Sequence, residues 1–310
     1  MSATLDPPCA PTVGEQRDRV AAALAAAGVP SPETDARWLV AHVAGVDPWQ
    51  RPDAPAGEAC GRALRPLVER RVAREPLQLI LGHTAFRLLD LVCRAGVFVP
   101  RPETETVAGL AIDAARAAGA RPVVGEPCTG TGAIACSLAA EVPGVRVVAG
   151  DVDTRAVATA RVNVRRLTEG RAGVVGPAPG ATVEVRAGEL LGALPAALTG
   201  HLDVLVANPP YLPDADRTTW APEVADHDPV RALVGGPDGH EVVAELVSAA
   251  THWLRPGGTL VLEIDARRAA TAVEQARRAG LVDVGVEHDL TGAARALLAR
   301  RPAVEIEEAR

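Results

Sequence analysis

Pro122-Val-Val-Gly-Glu-Pro-Cys-Thr-Gly-Thr-Gly-Ala-Ile-Ala135, followed ten residues later by Val145-Arg-Val-Val-Ala-Gly-Asp151, decides how this chain is read. An apolar run enters a glycine turn, an apolar helix follows, and a second apolar run ends on a carboxylate. Gly130 and Gly132 let the backbone turn tightly and approach a ligand, with helix-start amides aimed at it. The tail Gly130-Thr-Gly132-Ala-Ile-Ala135 satisfies the GxGxxA dinucleotide fingerprint, a weak signal alone. Asp151 lies 21 residues beyond Gly130, where a carboxylate at the end of a second strand accepts from ribose hydroxyls. The competing reading makes Asp151 a helix cap, with Asp153 and Thr154 beside it. Loop and acid together point to a ligand that contains a nucleoside.

Outward from this stretch, strand-like and helix-like segments alternate to the end of the chain. The strands are expected at 122–125, 145–150, 182–185, 202–206, 259–264 and 282–286. That alternation predicts a parallel α/β sheet wound on both faces. The stretch 169–181, with Gly-Pro-Ala-Pro-Gly inside it, reads as a surface loop. Toward the amino terminus the pattern changes. Val20, Leu24 and Ala27, then Ala36, Leu39, Val40 and Val43, recur at helical spacing, broken at Gly28-Val-Pro-Ser-Pro32. Ser31, Pro32 and Glu33 make a good helix start, because Pro suits the first turn and an acid suits the dipole. After the Pro/Gly-rich stretch 47–57, Leu64, Leu67, Val68 and Val72 predict another helix. Between the two regions, Phe86, Leu88, Asp90 and Val92, then 93–99 around Gly96, predict a two-stranded hairpin. The division is therefore a helical domain at 1–82, a β-hairpin linker at 83–100 and a ligand-binding α/β domain at 101–310.

A second motif carries the chemistry. Leu202-Asp-Val-Leu-Val-Ala-Asn-Pro-Pro-Tyr211 reads as a buried strand ending in a rigid turn, since Pro209 and Pro210 fix φ and donate no amide. Asn208 can offer a side-chain oxygen, and Pro209 a backbone oxygen, to the two hydrogens of a planar NH2 group. Holding both hydrogens draws the nitrogen lone pair out of conjugation, which methyl transfer onto an amide or aromatic amine requires. Tyr211 is placed to pack against that planar target. The bland alternative is a simple turn after an apolar strand.

Asn-Pro-Pro-Tyr after the fourth strand resembles the class I S-adenosylmethionine-dependent methyltransferases that modify amino groups of adenine, cytosine or glutamine. More specifically, the chain resembles the protein-(glutamine-N5) methyltransferases acting on peptide-chain release factors. Arg74-Glu-Pro-Leu-Gln-Leu-Ile-Leu-Gly82, Val97-Phe-Val-Pro-Arg-Pro-Glu-Thr-Glu105, Cys128-Thr-Gly-Thr-Gly132 and Leu260-Val-Leu-Glu-Ile264 support this, and the similarity runs from about Val20 to Arg301. The resemblance implies a Rossmann-like, seven-stranded methyltransferase sheet with S-adenosyl-L-methionine over the glycine loop. It implies a release factor as protein substrate, methylated on the glutamine of its Gly-Gly-Gln motif and docked by the helical domain. Carried over by position, Cys128, Thr129, Gly130, Thr131 and Gly132 would line the methionine end. Asp151 would hold the ribose, Leu190 would sit by the adenine, and Asn208, Pro209, Pro210 and Tyr211 would grip the target amide, with Asn208 also beside the cofactor. The segment Pro100-Arg-Pro-Glu-Thr104 would close over the cofactor; its plainer reading is a linker. Four positions depart from the family pattern: Glu126-Pro127 stands in place of Asp-Leu, Leu88 in place of a hairpin glycine, and Asp265 follows Leu-Glu-Ile. An acidic tail at 305–308 is also added.

Composition narrows the alternatives. The chain has 310 residues, 48% hydrophobic and 23% charged, which excludes wholesale disorder. All 32 basic residues are Arg, the formal charge is −7 and aromatics are 2%, so neither phosphate neutralisation nor base stacking is expected, and no direct nucleic-acid partner. No apolar run reaches roughly 18 residues without charge and no secretory signal is visible, so no membrane partner and a cytoplasmic location are expected. Five cysteines form no CxxC and seven histidines form no HExxH, so reduced thiols and no metal site are expected. Rival readings are a base amino-methyltransferase for DNA or RNA, a divergent paralogue acting on another protein or small-molecule amide, a nicotinamide oxidoreductase, and a catalytically silent binding module. The oxidoreductase leaves the double-proline turn unexplained. The silent module has to explain an intact loop, acid and turn.

Overall fold

The computed structural model describes residues 11–173 and 175–303; Cys9 and the acidic tail at 305–308 lie outside them. The chain divides into two compact units, one running to Gly82 and adding Pro222–His227, the other formed by His83–Ala221 and the chain from Asp228 onward. Among the described residues no helix is long and apolar enough to cross a membrane.

The first unit is helical: α1 (Val13–Ala26), α2 (Pro32–Ala44), α3 (Gly57–Val72) and α4 (Leu77–Leu81). Thr12 caps α1 reciprocally with Glu15, its side chain accepting from the Glu15 amide while the Glu15 carboxylate accepts from its own. Helix α2 begins at Pro32, where a missing N–H costs nothing, and stops at Gly45 in the left-handed conformation. Val13, Leu24, Leu39, Val40 and Leu64 form its core. Beside that core sits an ion cluster: Arg71 donates to Asp35 at 2.7 Å and to Glu223 at 2.9 Å, and Arg74 adds two bonds of 2.7 Å to Glu223. Arg71 is 5% exposed and Asp35 8%, so these charges are stable there only because they meet.

The second unit opens with a hairpin of β1 (His83–Phe86) and β2 (Leu89–Val92). Its turn is Arg87-Leu88, not the expected turn around Gly96, and residues 93–99 form no strand. Their buried Cys93, Val97 and Val99 pack without pairing, which mimics a strand pattern. The left-handed residue of the turn is Arg87, with φ of 51°, so Leu88 needs no glycine. Then follow α5 (Thr104–Ala118), β3 (Val123–Pro127), α6 (Ala133–Glu141), β4 (Arg146–Asp151), α7 (Thr154–Thr168), β5 (Thr182–Ala187) and β6 (Leu202–Ala207). After α8 (Pro222–Ala225), which counts with the first unit, come α9 (Glu241–Trp253), β7 (Leu254–Glu263), α10 (Ala269–Arg278), β8 (Val282–His288) and β9 (Ala294–Arg300). The stretch 169–181 is tied to the hairpin: the Ala172 carbonyl accepts from the Asp90 amide at 2.6 Å.

Seven strands form one sheet in the order β5-β4-β3-β6-β7-β9-β8. It is not wholly parallel, as the alternation had predicted: β9 runs antiparallel to both β7 and β8. Strand β9, Ala-Arg-Ala-Leu-Leu-Ala-Arg, is made of good helix formers, and pairing on both edges overrides that preference. Helices α5, α6 and α7 cover one face through Ile112, Leu138 and Val157, and α9 and α10 cover the other through Leu246 and Ala276. Because β3 lies between β4 and β6, the connections leaving it reverse direction there, which opens a crevice at the carboxyl ends of these strands.

Candidate active site

The glycine loop leaves β3 at Pro127 and takes three left-handed residues in five: Cys128 (φ 61°), Gly130 (56°) and Gly132 (80°). Glycine takes two of these positions at no steric cost, while Cys128 carries backbone strain. The turn is fixed from within, since the Thr129 amide donates to the Gly150 carbonyl at 2.9 Å and the Gly130 amide to Asp151 Oδ2 at 2.9 Å. Asp151 Oδ1 accepts from the Asp153 amide at 2.9 Å, whereas the cap of α7 is Asp153, which accepts from the Arg155 amide. The helix-cap alternative for Asp151 therefore fails. Burial raises the pKa of Asp151 above the usual carboxylate value.

A cavity of about 530 Å³ opens over this loop, within the range of small-ligand sites. Cys128, Thr129, Gly130, Thr131, Asp151, Leu190, Asn208 and Pro210 all line it, so the crevice brings most of the expected residues together. Gly132, Pro209 and Tyr211 do not line it. Gly132 instead ends the loop against α7, where an added Cβ would stand 3.1 Å from Ala160 Cβ. Pro209 is buried and is not among the residues that line the cavity. The Tyr211 hydroxyl donates to Glu263 Oε1, at the end of β7, at 3.1 Å. Of the segment 100–104, Pro100 and Thr104 reach the wall, while Arg101 pairs with Asp228 and stacks 4.9 Å from the Phe98 ring centroid.

The wall is acidic. Five lining residues are carboxylates (Glu126, Asp151, Asp153, Glu189 and Glu245), and Arg231 is the one cation among the described lining residues. Glu126 is 1% exposed, its Oε2 has no hydrogen-bond partner, and burial raises its pKa well above normal. A buried carboxylate oxygen without a donor, in an acid-lined hollow, suits a cationic ligand with N–H groups. Asn208 follows β6, and its Nδ2 donates to Thr104 Oγ1 at 3.1 Å, which leaves Oδ1 as the free end of the amide. Glu126 and Glu263 are charged residues closing apolar runs at strand ends, the same signal that marked Asp151. One further grouping, Asp238, His240 and Glu241, lies off the wall, and the Glu241 carboxylate already accepts the amides of Asp238 and His240.

Residues 15–82 match the PrmC N-terminal domain family. The chain is 44% identical over 241 residues to a release factor glutamine methyltransferase of Streptomyces coelicolor, covering 77% of this chain and 80% of that protein. It is 41% identical over 284 residues to the one from Mycolicibacterium smegmatis, covering 90% and 94%. A relative of the same description from Mycobacterium tuberculosis is 40% identical over 298 residues, covering 94% of this chain and 92% of its own. With identity of this order along nearly the whole length, from the helical unit through the crevice to the last strand, the chain belongs to the release factor glutamine methyltransferase family.

Proposed function

We propose that this chain transfers a methyl group from S-adenosylmethionine to the side-chain amide nitrogen of a glutamine in peptide-chain release factors. The observation that carries this reading is the Asn208 amide at the cavity wall, on a double-proline turn, with Nδ2 tied to Thr104 and Oδ1 free. S-adenosylmethionine brings an activated sulfonium methyl group, ready for in-line displacement. The residues of this chain then bind, orient and shield. Asp151, pinned by two backbone amides, accepts from ribose hydroxyls. Glu126 meets the cationic end with its unpartnered oxygen. Leu190, Phe98 and Ile134 give the cavity apolar surface that excludes water. Asn208 Oδ1 accepts a hydrogen of the target amide and turns its lone pair toward the methyl group, which is positioning and electrostatic work. No strong base is needed, because the nitrogen becomes acidic as it gains the methyl group and loses its proton to water.

The helical region 1–82, whose residues 15–82 match the PrmC N-terminal domain family, is assigned the docking of the protein substrate. The reading places the enzyme in the cytoplasm, where free thiols such as Cys60, Cys93 and Cys136 stay reduced. Intact-mass analysis of release factors after incubation with enzyme and S-adenosylmethionine tests the whole assignment. A gain of one methyl group mapped to a glutamine amide is expected. Methylation elsewhere, or none on any release factor, overturns it.

A further inference from the structure

Asn163 lies within α7 on the face that meets the glycine loop, one turn beyond Ala160, against which Gly132 packs. Its side chain is 0% exposed and is bonded to main chain alone. Oδ1 accepts from the Val92 amide at 2.8 Å, while Nδ2 donates to the Val92 carbonyl at 3.2 Å and to the Thr131 carbonyl at 2.9 Å. Both amide hydrogens and an oxygen lone pair are thus used. Val92 ends β2, so the side chain takes the place that a peptide unit of a third strand would hold beside the hairpin. Asn is a poor helix former, and an apolar side chain would suit the buried face that Ala160 and Leu167 share. It would, however, leave three main-chain groups without their partner from α7.

The two segments that meet at Asn163 both lead into the cavity wall. Thr129, Gly130 and Thr131 line it from the loop, and Gly96, Val97 and Phe98 line it a few residues beyond Val92. The Thr131–Gly132 peptide is held at both ends: its N–H donates to the Thr129 carbonyl at 2.8 Å, and its oxygen accepts from Asn163. A peptide entering a left-handed glycine otherwise turns over easily, because glycine accepts both signs of φ.

We propose that Asn163 is a positioning residue for S-adenosylmethionine: it stops the Thr131–Gly132 peptide from turning over and fixes the glycine loop against the end of β2, from which the Phe98 segment of the wall departs. This rests on the cofactor reading of the cavity given above. Asn163 does not line the cavity and acts through main chain alone. Its effect belongs to cofactor binding, since Asn208 is held from Thr104 and owes nothing to α7.

Cofactor affinity by calorimetry, denaturant midpoint and steady-state constants on a release factor test this in Asn163→Asp, Asn163→Ser and Leu167→Ala. Asn163→Asp keeps the shape but sets a carboxylate against two carbonyl oxygens, and is expected to weaken cofactor binding about tenfold to a hundredfold. Asn163→Ser, with one hydroxyl and room for a water, should lose about threefold to tenfold. In both, KM for the release factor and kcat at saturating cofactor should stay within about twofold. Leu167→Ala empties a site on the same face of α7, 1% exposed in the wild type, without touching a loop bond. Its midpoint should fall at least as far while cofactor affinity holds within about twofold. Wild-type affinity in Asn163 variants whose midpoints have fallen makes the amide structural only and overturns the proposal, as does an equal loss of affinity in Leu167→Ala. Hydrogen exchange in the wild type decides where neither Asn163 variant folds. Cofactor saturation should slow the Val92 amide, which is off the cavity wall, by a larger factor than the Thr84 amide of the same hairpin. Equal slowing overturns the link, and a wild-type protein that binds no S-adenosylmethionine overturns the cofactor reading beneath it.

Discussion

Asn208 bears most directly on the proposed chemistry, and the bond from its Nδ2 to Thr104 leaves Oδ1 as the free end of the amide. Asn208→Ala is expected to slow turnover about 10²–10³-fold, the scale of removing one preorganised polar group. Asn208→Asp should retain part of that, because an acceptor oxygen remains although the donor to Thr104 is gone. Single-turnover assays on folded, cofactor-saturated variants measure both. Glu126 and Asp151 lead to a second expectation. Burial raises both pKa values, so each holds its proton to a higher pH than an exposed acid does. A cationic ligand favours the ionised forms, so binding should expel protons, and affinity should climb with pH until both acids are ionised beforehand. Calorimetry in buffers of different ionisation heat should count those protons, with fewer released in Glu126→Gln. Proton release equal to wild type would remove Glu126 from the binding step. Asp151 was legible from its spacing to Gly130. Glu126 and Glu263 were visible as acids in apolar runs, but the pairing of β6 with β7 that brings Glu263 near Asn208 is not written in any one stretch.

At the level of elements, the parts that were readable are those with a local cause. The glycine loop, the two apolar runs flanking it and the double-proline turn each announce their backbone geometry residue by residue. The hairpin turn at Arg87-Leu88 and the antiparallel β9 depend on partners far away in sequence. Arg87 is held by Glu141 through bonds of 2.7 and 2.8 Å, and its amide donates to Glu105 at 2.9 Å. Strand β9 pairs with β7, whose residues are some forty positions distant, as Thr259 and Arg300 show. The loop itself permits a comparison between two glycines. An alanine at Gly130 meets nothing within 4 Å, whereas one at Gly132 stands 3.1 Å from Ala160 Cβ and 3.3 Å from its Cα. Both sit in the left-handed region, so each substitution costs about 1–2 kcal/mol in backbone terms. Gly132→Ala should add a packing cost by pressing on α7, and so lower the denaturant midpoint further than Gly130→Ala. Equal midpoints would mean that α7 yields freely at Ala160.

Over the whole molecule, the helical unit is built from two separate stretches of chain, and that is its least readable property. Its ion cluster joins Arg71 and Arg74 to Glu223, 152 and 149 residues away, and no composition shift marks 222–227 as belonging there. Removing residues 1–82 would therefore also leave Glu223 without its partners, which makes a point substitution the cleaner probe of this unit. Burial by itself would raise the Glu223 carboxyl, but hydrogen bonds from Arg74 and Arg71 outweigh it and hold the value at about 2. A carboxyl with a depressed pKa in the folded state contributes stability above its unfolded value, near 4.5, and loses that contribution as pH falls toward 2. The side chain of Glu223 is 17% exposed, so solvent screens this cluster only in part. Glu223→Gln keeps the shape and an acceptor oxygen but removes the charge between two guanidinium groups. It should cost about 1–3 kcal/mol at neutral pH, and wild type and variant should converge as the pH drops below 4.5. Denaturant unfolding of the full chain between pH 7 and 3 measures the difference. A gap between the two proteins that stays constant over that range would mean that the Glu223 charge contributes nothing and that only its packing matters.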